Sequence, residues 1–131
     1  MLANAGVSIT LPVVDLKRAK EFYGETLGLR PVAPPIEGME SEMAWFEAGD
    51  GLPIALYRRD TPTTADHTAV AFQVEDLDKE IEGLSERGAE FEHYDLPGLK
   101  TDERGIASLG SWRGVWLKDS EGNILGVGES E

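Results

Sequence analysis

Residues 7–16 read VSITLPVVDL and residues 69–77 read AVAFQVEDL. The two are versions of one phrase. Apolar and polar residues alternate, the run closes on Val, any residue, Asp, Leu, and an amphipathic segment follows at once. Alternation with period two places one face of a strand on a core. An Asp directly ahead of an apolar-periodic segment is a helix N-cap. Asp76 stands 61 positions after Asp15, close to half of the 131-residue chain. A unit repeated at half the chain length predicts two similar modules packed as a pair, with a ligand expected in the cleft between them.

Working outward, Val7, Ile9, Leu11 and Val13 form the apolar face of a first strand, and Leu16, Ala19, Phe22, Tyr23 and Leu27 form a helical stripe that Gly28 ends. Pro31, Pro34 and Pro35 exclude a long strand interior, so residues 30–41 read as a short strand and a loop. Strands are expected over 42–48 and 52–59, joined by the Gly49-Asp50-Gly51 turn, and TPTTAD at 61–66 is the linker. The second half repeats the order. Thr68, Val70, Phe72 and Val74 make the apolar face of its first strand; Leu77, Ile81 and Leu84 line a helix that Gly88 terminates. A strand over 91–96, a polar loop over 97–108, and a hairpin of 111–117 with 124–128 follow. The fold class is therefore α+β. One domain over 1–131 holds two tandem βαβββ modules, about 6–60 and 67–130, whose sheets curl around a shared cleft.

Composition narrows function by exclusion. With no Cys, a disulfide framework, a thiolate nucleophile and a Cys-ligated zinc are ruled out. No apolar run approaches the roughly 20 residues that a membrane span requires, and the start lacks the basic-then-apolar pattern of a secretion signal. A soluble cytoplasmic protein is expected. Twelve Lys plus Arg face 25 Asp plus Glu, a formal net charge of −13. That field opposes nucleic acid and anionic membrane, both of which are bound through basic side chains; neither is expected as a partner. Phosphate-loop, HExxH and GxSxG motifs do not occur.

Three stretches, VVDLKRAKEFYGETLGL at 13–29, VEDLDKEIEGLSERGAEF at 74–91 and WLKDSEGNILGV at 116–127, resemble the vicinal oxygen chelate superfamily. That superfamily includes glyoxalase I, bleomycin-resistance proteins, fosfomycin-resistance enzymes and extradiol dioxygenases. Ser120 departs from the proline usual in the last turn. The resemblance implies paired βαβββ modules, and in the family's enzymes a divalent metal held by His, Gln or Glu on four strands. Carried onto this chain, those four positions are Ser8, Ala55, Ala69 and Gly126. Ala and Gly offer no donor atom, and a lone hydroxyl is a poor ligand for a divalent ion. No metal and no cofactor are expected.

The remaining candidates are aromatic and polar. By parity Trp112, Gly114 and Trp116 share one strand face and Val115 and Leu117 the other; Tyr57 and Arg59 share the face of Ala55. Two indoles and a glycine gap make either a slot for a planar or apolar ligand, or a cleft that the indoles fill themselves, or a dimer contact. Ser8, Thr10 and Gln73, with Arg113 as a weaker member, are the polar groups expected beside them. His67, two residues before Ala69, is read either as a displaced metal ligand, a general base or a hydrogen-bonding group for a bound molecule, or as a solvated histidine at the linker. His93 is placed on a surface strand. The acidic run 37–42 (EGMESE) is read as a solvated loop, with recognition of a cationic ligand as the other reading. Together these residues point to a metal-free binder of an aromatic or bulky metabolite or antibiotic, acting as a homodimer. The competing readings are a lyase, isomerase or dioxygenase that relies on His67 or a displaced metal, and a structural or partner-binding module.

Overall fold

Two aspartates start the two helices, as the repeated phrase predicts. The Arg18 backbone N–H donates to Asp15 Oδ1 at 3.0 Å, and the Lys79 N–H donates to Asp76 Oδ1 at 3.1 Å. Each cap satisfies a donor that the first helical turn would otherwise leave unpaired. The computed structural model describes residues 1–130; position 131, the last of the single domain expected over 1–131, lies outside them. The chain divides into two compact units, and the division falls between Thr63 and Thr64, inside the TPTTAD linker. No helix among the described residues is long and apolar enough to cross a membrane.

In the first unit the strands are β1 (Ile9–Val13), β2 (Arg30–Val32), β3 (Met43–Ala48) and β4 (Leu52–Arg58), with α1 (Leu16–Glu21) between β1 and β2. The sheet order is β1-β4-β3-β2, with β1 parallel to β4 and the other pairs antiparallel. Leu11, Val13, Ala44, Phe46, Ile54 and Leu56 are buried, so one face of every long strand is core. After α1 the chain widens into a π-turn over Phe22–Thr26 instead of continuing as α-helix. That turn carries Tyr23, fully buried and 6.2 Å from the Phe46 ring centroid. Gly28, at φ 71°, then takes the left-handed conformation that ends the helical segment.

The second unit repeats the plan with β5 (Thr68–Gln73), α2 (Leu77–Glu86), β6 (Asp95–Leu96), β7 (Leu99–Lys100), β8 (Ala107–Leu109), β9 (Trp112–Lys118) and β10 (Ile124–Ser130). Its sheet runs β5-β10-β9-β8, with β5 parallel to β10. Val70, Val115, Leu117, Leu125 and Val127 bury the face that receives Leu77, Ile81 and Leu84 of α2. The two units are thus a pair of mixed four-stranded sheets, each a βαβββ module.

Two expectations are corrected here. The strand expected over 91–96 does not form. Phe91 makes a single bridge to Leu117, and Asp95–Leu96 folds back on Leu99–Lys100 around Pro97 and Gly98. The sheet's last strand is Ala107–Leu109, which begins inside the stretch expected to be loop over 97–108. Local hydrogen bonds explain both changes. Thr101 Oγ1 accepts from the Tyr94 N–H at 2.8 Å and donates to its carbonyl, closing a small hairpin at its base. Asp102 Oδ1 accepts from the Arg104 and Ile106 N–H groups, turning the chain so that Ile106 and Ala107 become buried. The second correction is Thr68. A register shift between Ile124 and Leu125 pairs Ile124 with Thr68 and Leu125 with Val70. Val70 stays on the core, while Thr68 turns its side chain to the face of Trp116.

The turn between β9 and β10 survives the serine at position 120. Buried Asp119 accepts from the Glu121 N–H, the Asn123 N–H and the Asn123 Nδ2, each at 2.8 Å. Asp119→Ala leaves those buried donors unpaired and is expected to cost about 3 kcal/mol in urea denaturation. Asp15→Ala removes one exposed cap and is expected to cost about 1 kcal/mol. Equal losses at the two positions contradict this ranking.

Candidate functional site

In each sheet the face away from the helix carries several of the residues singled out for binding, Thr10 and Tyr57 in the first unit and Gln73, Trp112 and Trp116 in the second. In the first, Thr10 and Trp45 both pair with Ala55, while Pro12 and Met43 both pair with Tyr57. Directly paired residues share a face, so Thr10, Ala55 and Tyr57 come together as parity predicts. Trp45 belongs with them, its indole N–H pointing to Met43 Sδ at 3.3 Å. Its alternation with buried Ala44 and Phe46 was the signal for it. Ser8 lies before β1 and is exposed. Arg59 lies beyond the end of β4, exposed, its backbone N–H donating to the Val13 carbonyl at 2.7 Å. The acidic run ends in an ion pair, with Arg58 Nε 3.1 Å from Glu42 Oε2.

The second unit holds more chemistry. Gly114 and Gly128 pair across β9 and β10, as do Trp116 and Gly126. The Trp112 ring lies over the first pair. A β-carbon added at Gly114 would overlap it, and one added at Gly128 would stand 2.5 Å from its Cζ2 and Nε1. The glycines are the space into which this indole packs. Trp116 lies 5.7 Å from Trp112 and 5.8 Å from Tyr94 by ring centroids, the latter edge to face at 76°. Its Nε1–H donates to Thr68 Oγ1 at 3.2 Å. A β-carbon at Gly126 would meet the same nitrogen at 3.4 Å. Gln73, at the other end of β5 from Thr68, pairs with Gly128 beneath Trp112, its Nε2 3.4 Å from Ser130 Oγ.

Beside Trp116 opens a cavity of about 220 Å³. Asp66, His67 and Thr68 form one wall; Tyr94 and Trp116 supply the rings; Leu96 and Leu99, from the two strands of the small hairpin, add apolar surface with Ile124. His67 is exposed, and its Nδ1 lies 3.3 Å from the Thr68 carbonyl. Burial first, and then the charge of Glu92, hold the Tyr94 phenol above the ordinary tyrosine value, so it stays protonated. The sequence reading missed Thr68, Tyr94 and the leucines. The apolar pair straddling Pro97-Gly98 was the available sign of a hairpin. His93 is exposed and does not line this cavity.

Arg113 faces away from the indoles. Its guanidinium bonds Glu129 Oε1 and Asp78 Oδ2, Arg104 also holds Asp78, and Glu129 Oε2 accepts the Leu77 N–H at the start of α2. The group is a clamp between β9, β10 and the helix. Hydrogen bonds from Arg113, with Arg104 on Asp78 and the Leu77 N–H on Glu129, hold both carboxyls below their ordinary values.

These residues do not fit the divalent metal that the resemblance implies. In the first unit the corresponding positions carry an exposed serine and the buried Ala55; in the second, Ala69 and Gly126. Trp116 lies against Gly126, its Nε1 3.4 Å from where a β-carbon would stand. Among the described residues no group of three His, Cys, Asp or Glu side chains is placed to hold an ion.

Comparison with known proteins agrees with the architecture. The family model described as Glyoxalase/Bleomycin resistance protein/Dioxygenase superfamily matches residues 7–123. No curated protein matches the chain. A solved structure assigned to the glyoxalase family from Bacillus anthracis is 22% identical, with a TM-score of 0.73 over 97% of this chain and 96% of that one. A glyoxalase/dioxygenase from Nostoc punctiforme is 20% identical, with a TM-score of 0.72 over 98% and 92%. The fosfomycin resistance protein FosX from Mesorhizobium loti is 15% identical, with a TM-score of 0.67 over 98% and 93%. At these identities the likeness is one of fold.

Two outcomes test this geometry. Gly128→Ala is expected to destabilise by about 1–3 kcal/mol through overpacking against Trp112, and Trp112→Leu in the same chain is expected to recover part of that loss in thermal unfolding. An additive double mutant contradicts the packing. For the clamp, Asp78 and Glu129 have lowered folded-state values, so their contribution is present above the unfolded-state values near pH 4 and is lost as pH falls further. The stability gap between wild type and Arg113→Met is expected to be full above about pH 5 and to shrink below about pH 4. A gap unchanged down to about pH 2 contradicts it.

Proposed function

From a chain that belongs to the Glyoxalase/Bleomycin resistance protein/Dioxygenase superfamily, we propose a metal-free small-molecule binder that sequesters an aromatic or bulky organic compound. The observation that carries the reading is the cavity beside Trp116. It has two aromatic walls, an apolar hairpin and a polar edge at His67 and Asp66, while the positions of family metal ligands in the same unit are alanine and glycine. Apolar walls with few polar groups are what hold and orient a small organic ligand. Homodimer formation belongs to the same reading, and sedimentation velocity reads it directly.

A screen of planar and bulky metabolites, followed by tryptophan fluorescence and by melting temperature, tests the proposal. A ligand selective for the folded protein raises the melting temperature by mass action. The reading expects a hit whose fluorescence response disappears in Trp116→Leu. It also expects that metal-stripped protein titrated with Zn, Ni, Fe or Mn shows no stoichiometric site. One ion held per chain by cleft residues refutes it.

One observation favours a second reading, an enzyme that works through His67. The imidazole lies on the edge of the same cavity, and a hydrogen bond from Nδ1–H to the Thr68 carbonyl would leave Nε2 as the proton acceptor. This version expects His67→Ala to abolish turnover of a cavity ligand with thermal stability nearly unchanged. A bound ligand that is never converted, with wild-type binding by His67→Ala, ends it.

A further inference from the structure

The cavity of the second unit has a charge pattern as well as a shape. None of its eight lining residues is Lys or Arg, and one of them, Asp66, is a carboxylate. The negative charge of Glu92 also reaches Tyr94. Glu92 also pairs with Lys118, whose ammonium stands 3.5 Å away and is well exposed. Trp116 has already committed its one polar hydrogen to Thr68, so what the indole has left for a ligand is its π surface. Tyr94 stands nearly perpendicular to it, and two rings at that angle make a corner.

Three ligand classes can be ranked against those walls. An anion meets Asp66 with no guanidinium or ammonium in the lining to offset it. An uncharged apolar molecule meets the rings and leucines but makes no use of the exposed Asp66 carboxylate at the cavity edge. A cation with apolar substituents satisfies both features, because ring faces attract positive charge through their quadrupole and a carboxylate adds direct attraction. The overall charge of −13 favours the same class on approach. We infer that this cavity takes an organic cation, an ammonium group bearing alkyl or aryl substituents, seated in the Trp116–Tyr94 corner with its charge toward Asp66. The inference deepens the binding reading above and rests on it.

The test uses a matched pair, benzyltrimethylammonium and its uncharged carbon isostere neopentylbenzene, followed by the indole N–H resonance of Trp116. The cation is expected to give a saturable shift and to bind about tenfold more tightly than the isostere. Asp66→Asn, checked for an unchanged melting temperature, is expected to weaken the cation about threefold or more and to leave neopentylbenzene unaffected. Neopentylbenzene binding as tightly as the cation, or a cation that moves nothing, overturns the inference. If uncharged library compounds still perturb Trp116 in that case, the binding reading stands without it. If nothing perturbs Trp116, both fall.

Discussion

The Trp116 indole donates to Thr68 Oγ1 and lies against Gly126, and the open face of the second sheet is organised around that contact. Three features of the chain go with it. Position 126 is a glycine against the indole, Thr68 leaves the core face through the register shift at Ile124, and the rings of Tyr94 and Trp112 stand 5.8 and 5.7 Å from that of Trp116. At the positions that the resemblance implies for metal ligands in this unit the chain carries Ala69 and Gly126, with the indole beside the glycine. Aromatic surface and a carboxylate suit organic ligands through dispersion, quadrupole and charge, whereas coordination chemistry requires lone pairs that Ala69 and Gly126 do not have.

Much of the scaffold was legible because it rests on short-range signals. Asp15 and Asp76 cap their helices as their positions predict, and Gly28 and Gly88 adopt the positive φ that ends helical segments. Parity placed Trp112, Gly114 and Trp116 opposite buried Val115 and Leu117, since the period of a strand leaves no freedom once one face is core. Thr10 and Tyr57 fell on the face of Ala55 for the same reason.

What failed was decided by contacts that composition does not encode. Residues 91–96 have strand-like composition, yet the hydrogen bonds between Tyr94 and Thr101 spend that stretch on a local hairpin, and residues 107–109 take the sheet edge. Thr68 continues an alternating pattern, so only the pairing with β10 could show the shift that turns it outward. Arg113, the weaker candidate because its parity is opposite to that of Trp112, is held in a clamp with Glu129 and Asp78 whose partners only the folded chain brings together, and Arg59 lies past the end of β4. The cavity was invisible for the same cause, because its second wall comes from the hairpin.

The most direct test of the account is nuclear magnetic resonance of the Trp116 indole N–H in the unliganded protein. The account predicts a slowly exchanging proton with nuclear Overhauser contacts to the Thr68 methyl group and to the Gly126 α-protons. A rapidly exchanging proton without those contacts would mean that the face is open, and would contradict it.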